Sequence, residues 1–193
     1  GPLYNTVVML TSGSDGKERP EDVPQHVAAV LGRGAGPSEV RDFYVWCDEL
    51  GVEKATLCIP GAADRELYAE AVSELEPSVG VVEPGDGPEK VTEERRLSYV
   101  GGREEVVEAF RRLARDVREG ELSPEEVDSD TVSERLAVPG EPDLLVEVSD
   151  DALSDVLVWQ TVYSELCRVD ELTEEALRRC IEEYGERERR YGR

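Results

Sequence analysis

The chain has 193 residues, 22 basic against 45 acidic side chains, a formal net charge of −23 and 39% hydrophobic residues. That length fits one domain, with a core burying about two-thirds of the unfolded surface. No apolar run approaches the roughly 18 residues of a membrane span, the first residues lack the basic-then-apolar layout of a signal peptide, and an acidic surface disfavours binding to a phosphate backbone.

Lys17, Lys54 and Lys90 are the three lysines, so 19 of the 22 cations are arginine. Excess carboxylate with scarce lysine keeps a protein hydrated in concentrated salt, where a Debye length of roughly 3 Å at 1 M screens self-repulsion. The composition predicts a cytoplasmic protein of a halophilic organism.

Residues 1–23 read as an N-terminal segment and loop, and residues 24–193 as the domain. The apolar run 26–31 (HVAAVL) predicts a buried strand. The glycine-rich stretch 32–37 (GRGAGP) follows it. In an α/β sheet, a turn that leaves a strand and opens a helix is where phosphates bind. This stretch matches neither G-x-G-x-x-G nor G-x-x-x-x-G-K-[ST], so a phosphate cradle and a plain tight connection both stay open.

Ser38 then caps a helix running to Leu50, with Val40, Phe43, Cys47 and Leu50 on one face and Gly51 ending it. A strand over 55–59, a helix over 63–75, a short strand over 79–82 and a charged loop over 83–94 follow. Strand 96–100 turns through Gly101-Gly102 into a helix over 103–118. Ser123-Pro124-Glu125-Glu126 has capping-box spacing with proline at the first helical position. The last strand spans 143–148, and helices span 151–167 and 173–190. Strands alternating with helices predict a single α/β domain with a mainly parallel central sheet flanked by helices.

Cys47, Cys58, Cys167 and Cys180 form no C-x-x-C pair, and the single histidine, His26, is distant from them in sequence. That pattern argues against zinc. Cys47, Cys167 and Cys180 fall at apolar helix positions and Cys58 in a strand, which predicts small buried hydrophobes in a reducing compartment.

Several motifs occur in a fixed order. Residues 24–31 (PQHVAAVL) resemble P-E-H-V-A-x-I-x, and 45–52 (VWCDELGV) resemble W-C-x-E-L-G-I. Residues 98–109 (SYVGGREEVVEA) resemble N-Y-G-G-R-x-E-I-V-x-A. Residues 141–146 (EPDLLV) resemble the start of P-D-L-L-I-R-T-S-G-E, 153–160 (LSDVLVWQ) resemble R-L-S-N-F-L-L-W-Q, and 162–166 (VYSEL) resemble A-Y-x-E-L. On these motifs, residues 24–193 resemble the cis-prenyltransferase family, the undecaprenyl and dehydrodolichyl diphosphate synthases. The resemblance implies that family's fold. It also implies a chemistry in which isopentenyl diphosphate is condensed onto an allylic diphosphate with Mg²⁺.

The departures from the family pattern lie in its catalytic parts. The family's catalytic aspartate sits in D-G-N after the first strand, where this chain has Gly32-Arg33-Gly34. Its two isopentenyl-diphosphate-gripping arginines correspond to Glu147 and Ala152, and a glutamate repels a diphosphate. The stretch from Pro60 to Arg96 is short; in the family that region carries an F-S-x-E-N segment and a helix walling the product tunnel, and Ile59-Pro60-Gly61-Ala62-Ala63 retains none of that motif.

Arg190-Tyr191-Gly192 retains the family's R-x-G, which reaches across the dimer interface to hold the partner's substrate diphosphate. Arginine suits bidentate phosphate contacts, and glycine allows close backbone approach. Glu165 matches a family glutamate near Mg²⁺. Trp159, Gln160 and Tyr163, with the helices over 103–117 and 155–166, resemble the dimer-interface region, and packing is their ordinary role.

The resemblance therefore implies no catalytic residue in this chain. It points to a non-catalytic, Nogo-B-receptor-like subunit of a heteromeric cis-prenyltransferase. Such a subunit pairs with a catalytic homologue that binds most of the Mg²⁺, and the complex makes long polyprenyl diphosphates, precursors of dolichol-type lipid carriers. The expected location is cytoplasmic with peripheral membrane contact. The alternatives are a diverged active homodimer with Asp150 or Asp151 as substitute carboxylate, and a family fold repurposed for unrelated binding.

Overall fold

The computed structural model describes residues 22–31, 36–59, 65–75, 78–90, 94–148 and 155–191, with side chains through 187. Six strands form one sheet: β1 (His26–Val30), β2 (Lys54–Cys58), β3 (Gly80–Val82), β4 (Arg95–Ser98), β5 (Leu144–Val148) and β6 (Glu165–Val169). Every pairing is parallel, in the order β3-β4-β2-β1-β5-β6. Among the described residues five α-helices accompany them: α1 (Pro37–Glu49), α2 (Arg65–Leu75), α3 (Gly102–Glu119), α4 (Ser129–Ser133) and α5 (Glu174–Tyr191). The arrangement is the single α/β domain expected from the alternation of strands and helices.

Strands covered on both faces read as continuous apolar runs. HVAAV of β1 and LLVEV of β5 are accordingly buried at every position. Val27, Ala29, Leu57, Leu144, Val146 and Val148 point to one face, where they meet α1, α2 and α5. Ala28, Val30, Cys58, Val82 and Leu145 point to the other, under Ala137, Val138, Val156 and Leu157. On the first face Phe43 and Tyr44 meet edge to face at 5.2 Å. The Tyr44 hydroxyl donates to the Arg96 carbonyl at 2.6 Å. Together with Tyr68, Ala71, Val72 and Leu75 of α2, these rings fill the space between the helices and the sheet.

Helix starts differ from expectation where two caps compete. α1 begins at Pro37, one residue before the expected cap Ser38, and the Glu39 carboxylate accepts the Gly36 N–H at 2.9 Å. Proline's fixed φ favours the first helical position. Gly51 ends the helix region with φ +79°, as expected. Ser123 opens only a 3₁₀ turn over Pro124–Glu126. The Asp128 carboxylate then accepts the N–H groups of Asp130 (3.1 Å) and Thr131 (2.9 Å), and this second cap starts α4.

The helix expected over 151–167 is not present among the described residues of that range. Residues 155–163 form successive turns, and residues from Glu165 form edge strand β6. Burial of Val156, Leu157 and Gln160 imitates helical spacing. Pairing of all five β6 residues with β5 satisfies the backbone groups on the outer side of β5, which a helix, hydrogen-bonded within itself, would leave open.

The cysteine reading also needs correction. Cys167 on β6 and Cys180 on α5 form a disulfide with Cα atoms 5.8 Å apart, while Cys47 and Cys58 are buried thiols. Burial pushes both thiols well above the usual range, which makes them inert. Closing the short loop between positions 167 and 180 contributes about 3 kcal/mol on chain-entropy grounds.

His26 starts β1 nearly out of solvent, its Nε2 within 2.8 Å of Thr56 Oγ1. Burial, with a smaller push from the Arg96 charge, lowers its pKa from 6.5 to about 4. The folded state thus binds a proton less readily than the unfolded chain. This contribution to stability is complete above pH 6.5 and is lost as pH falls toward 4. Between pH 7.5 and 5 the loss is about 2 kcal/mol, or roughly 4–8 °C in melting temperature for a domain of this size. His26→Gln should flatten the melting-temperature profile over that interval by this amount; an unchanged slope would remove His26 as its cause.

Candidate functional site

In parallel α/β sheets, ligands bind at the carboxyl ends of the strands. The described part of that edge is occupied by paired charges. Glu147 of β5 is 5% exposed and stands opposite Arg168 of β6, Oε2 to Nε 3.3 Å. Arg65, at the start of α2, pairs with Glu83, and its guanidinium lies 4.3 Å from the Tyr99 ring centre. A diphosphate would have to displace carboxylates from both arginines. Gly32, Arg33 and Gly34, together with Asp150, Asp151 and Ala152, lie outside the described residues.

The N-terminus of α3 opens from the same edge but is capped by protein. Gly102 N–H donates to the Asp155 carbonyl at 2.8 Å, and Arg103 N–H donates to Asp155 Oδ1 at 3.1 Å. The approach is so close that a Cβ on Gly102 would sit 2.6 Å from Val158 Cγ2 and 3.0 Å from Val158 N. Glycine is required there by contact with backbone.

One turn further, Glu105 is 2% exposed. Its Oε1 accepts the Val138 N–H at 2.7 Å and Gln160 Nε2 at 3.0 Å, while Gln160 also donates to the Val138 carbonyl at 3.0 Å. Burial raises the Glu105 pKa against the pull of these donors. This buried joint, which the sequence reading missed, fastens α3 to segments 136–138 and 155–160. The E/Q pair in GGRxE and WQ was its available signal.

The three residues assigned to a dimer interface therefore separate. Gln160 faces inward and is committed to Glu105, which corrects its placement on an interaction surface. Trp159 is half-buried, with its indole N–H donating to Ser133 Oγ at 2.9 Å. Tyr163 is 84% exposed beside Val162 at 71%. Val107, Phe110 and Val158 are exposed too. On α3, Val106, Val107, Phe110, Ala114 and Val117 follow helical spacing, a stripe next to the buried face. The helix carries five arginines and five acidic residues, 5 − 5 = 0, within a chain of net charge −23.

The opposite end of the sheet holds the other assigned residues. Cys180 of α5 is bonded to Cys167, the third residue of β6, and Arg187 Nη1 lies 3.0 Å from Oε2 of Glu165, the first. α5 therefore runs back toward the amino ends of the strands. Gly185 sits against the Asp22 backbone just before β1, where a Cβ would be 2.7 Å from the Asp22 carbonyl oxygen. The backbone of Arg190 and Tyr191 forms the helix end beyond Arg187. Their side chains, and Gly192, lie outside the described residues. From Glu165 to the carboxyl end of β6 is about 13 Å at the usual strand rise.

Glu165 thus holds a guanidinium, and among the described residues no group of three or more His, Cys, Asp or Glu is placed to hold a metal ion. A polar cavity of about 340 Å³ at the amino end is lined by Gln25, His26, Lys54, Arg96, Glu141 and Asp143. Its charges balance two against two. Asp143 Oδ2 accepts the His26 N–H at 2.9 Å, which ties β1 to the approach to β5.

A six-stranded parallel sheet, in the strand order found, carries the motifs in the order that pointed to one class of protein. The chain belongs to the cis-prenyltransferase family: the profile described as putative undecaprenyl diphosphate synthase matches residues 89–192, more than half of the chain. An isoprenyl transferase of Porphyromonas gingivalis is 40% identical over 104 residues, 50% of this chain and 41% of that protein. The tritrans,polycis-undecaprenyl-diphosphate synthase (geranylgeranyl-diphosphate specific) of Methanopyrus kandleri is 40% identical over 100 residues, 48% of this chain and 37% of that protein. The matched stretch thus spans about two-fifths of these relatives.

The fold is shared with lavandulyl diphosphate synthase from Lavandula x intermedia, solved with dimethylallyl diphosphate. The TM-score is 0.67 at 20% identity, covering 86% of this chain and 97% of that one. A probable undecaprenyl diphosphate synthase from Campylobacter jejuni gives a TM-score of 0.58 at 21% identity, covering 83% and 94%. No helix among the described residues is long and apolar enough to cross a membrane.

Proposed function

We propose that this chain is an accessory subunit of a heteromeric cis-prenyltransferase, without turnover of its own. It pairs with a catalytic homologue and completes that partner's site with Arg190, Tyr191 and Gly192. The complex extends an allylic diphosphate with isopentenyl diphosphate to a long polyprenyl diphosphate. Mg²⁺ is held mainly by the partner.

The observation that carries this reading is the direction of α5. The helix brings the backbone of Arg190 and Tyr191 to the amino end of its own sheet, anchored through Arg187 and Glu165. The chain's own carboxyl edge is at the other end, with Glu147 paired to Arg168 where an isopentenyl-diphosphate arginine is expected. A segment so placed serves another subunit's substrate more readily than its own. The packed layer of Phe43, Tyr44 and Tyr68 agrees with a chain that houses no long isoprenoid. The stripe of Val107, Phe110 and Ala114 on α3 is a surface suited to a homologous chain, and Val162 and Tyr163 are exposed as well. A charge-balanced α3 lowers the repulsion that a net charge of −23 would otherwise impose on an acidic partner.

The test is incorporation of labelled isopentenyl diphosphate with Mg²⁺ and an allylic primer, in molar KCl, to suit the halophilic composition. This chain alone, a homologue with complete motifs alone, and the two co-expressed are compared. Product that requires or is greatly increased by both chains supports the accessory role. Product from this chain alone overturns it in favour of a diverged enzyme, and failure of the chains to associate overturns it in favour of unrelated binding.

A further inference from the structure

The second half of α5 buries fewer described side chains than the first. Leu177, Cys180 and Ile181 are buried, whereas beyond them Gly185 is buried, Tyr184 packs partly against the core, and Glu182, Glu183, Glu186 and Arg187 are exposed. Past Ile181, the described attachments include the Gly185 contact with Asp22 and the solvent-facing Arg187–Glu165 pair. The covalent attachment is Cys180 to Cys167. Cys167 is half-buried on β6, at the open edge of the sheet, whereas Cys180 lies behind it in the core. Cys47 and Cys58 are buried elsewhere with their pKa values pushed up, so thiol exchange is confined to one pair.

We propose that the Cys167–Cys180 disulfide is a redox-operated latch that holds the second half of α5 against β6. The co-reactant is a small dithiol. Its thiolate attacks Sγ of Cys167, the less buried of the two residues, forming a mixed disulfide and expelling the Cys180 thiolate, which takes up a proton. The second thiol of the reductant then attacks its own sulfur in the mixed disulfide and expels the Cys167 thiolate, which is also protonated. Two electrons and two protons pass to the protein, and the reductant leaves as a disulfide. With the bond open, residues 182–191 keep only noncovalent contacts, and their helix frays. This rests on the accessory reading in one respect: the segment that α5 carries then loses its fixed position for the partner.

Hydrogen exchange of the full chain, oxidised and then reduced with dithiothreitol, tests the latch without reference to activity. Amides of 180–191 are expected to exchange at least about 10-fold faster after reduction, while those of β1, β2 and β5 stay protected. The double variant Cys167→Ser, Cys180→Ala should exchange fast in this segment under both conditions. Equal exchange in oxidised and reduced wild type overturns the proposal, as does loss of protection throughout the sheet, which would make the bond a global staple. Turnover of the co-expressed complex is then read in both states. Faster exchange with unchanged turnover leaves the latch standing and counts against the segment's role in the partner's site.

Discussion

Glu105→Ala is expected to lower the melting temperature by about 10 °C, the largest loss from any single side chain of the motif region. The mutation leaves the Val138 N–H and the Gln160 amide without their acceptor in a buried site and opens a void. Unsatisfied buried donors cost about 1–3 kcal/mol each, so a total of about 3–4 kcal/mol is reasonable, at roughly 2–4 °C per kcal/mol. Glu105→Gln is the informative contrast. The Val138 and Gln160 donors converge on one oxygen, Oε1, which a glutamine carbonyl reproduces, while a further bond from the Ala137 backbone to the carboxylate is at risk in the amide.

The sign of the pH effect separates the two roles of this carboxylate. Burial holds the Glu105 pKa above 4.5 in the folded state, so its contribution is greatest below pH 4.5 and declines as pH rises through the folded value. Glu105→Gln should lack that decline, and its stability relative to wild type should improve as pH rises. Thermal melts of the three proteins across that range decide the matter. Equal losses for Ala and Gln would show that ionisation, not the acceptor oxygen, holds the joint together.

The sheet was legible because parallel strands buried on both faces leave near-continuous apolar runs, as in VAAV of β1 and LLV of β5. The end of α1 was legible from Gly51, and the turn from β4 into α3 from Gly101-Gly102. What the sequence concealed was long-range. Residues 155–163 bury Val156, Leu157 and Gln160 with a helical rhythm, yet Gly102 draws their backbone onto α3, and β5 takes the following residues as a strand. Nothing local in ELCRV distinguishes an edge strand from a helix end. Cys167 and Cys180 likewise share no short motif; they meet because α5 returns antiparallel to β6.

The candidate site divides in the same way. Motif comparison placed Glu147 where an arginine is expected, but its compensation by Arg168 depends on strand register, which only pairing reveals. Glu165 looked like a metal neighbour in sequence. In the fold it is an anchor for Arg187, at the end of the sheet away from the carboxyl-edge loops.

That separation of ends determines what the R-x-G segment should do when altered. In the co-expressed complex, Arg190→Ala is expected to lower turnover by roughly 10²-fold, the usual loss when one preorganised donor to a departing or bound anion is removed. The two chains should still co-elute, because the proposed interface is the α3 stripe and not α5. Arg190→Lys should recover part of the loss: it keeps the charge but not the two-pronged geometry of a guanidinium. Arg187→Ala breaks only a solvent-facing pair with Glu165, worth at most about 1 kcal/mol. As a positioning change it should alter turnover several-fold less than Arg190→Ala. Measuring kcat and KM for isopentenyl diphosphate, alongside size-exclusion of each complex, separates these cases. Wild-type turnover with Arg190→Ala would remove the segment from the mechanism, and loss of the complex itself would move α5 into the interface.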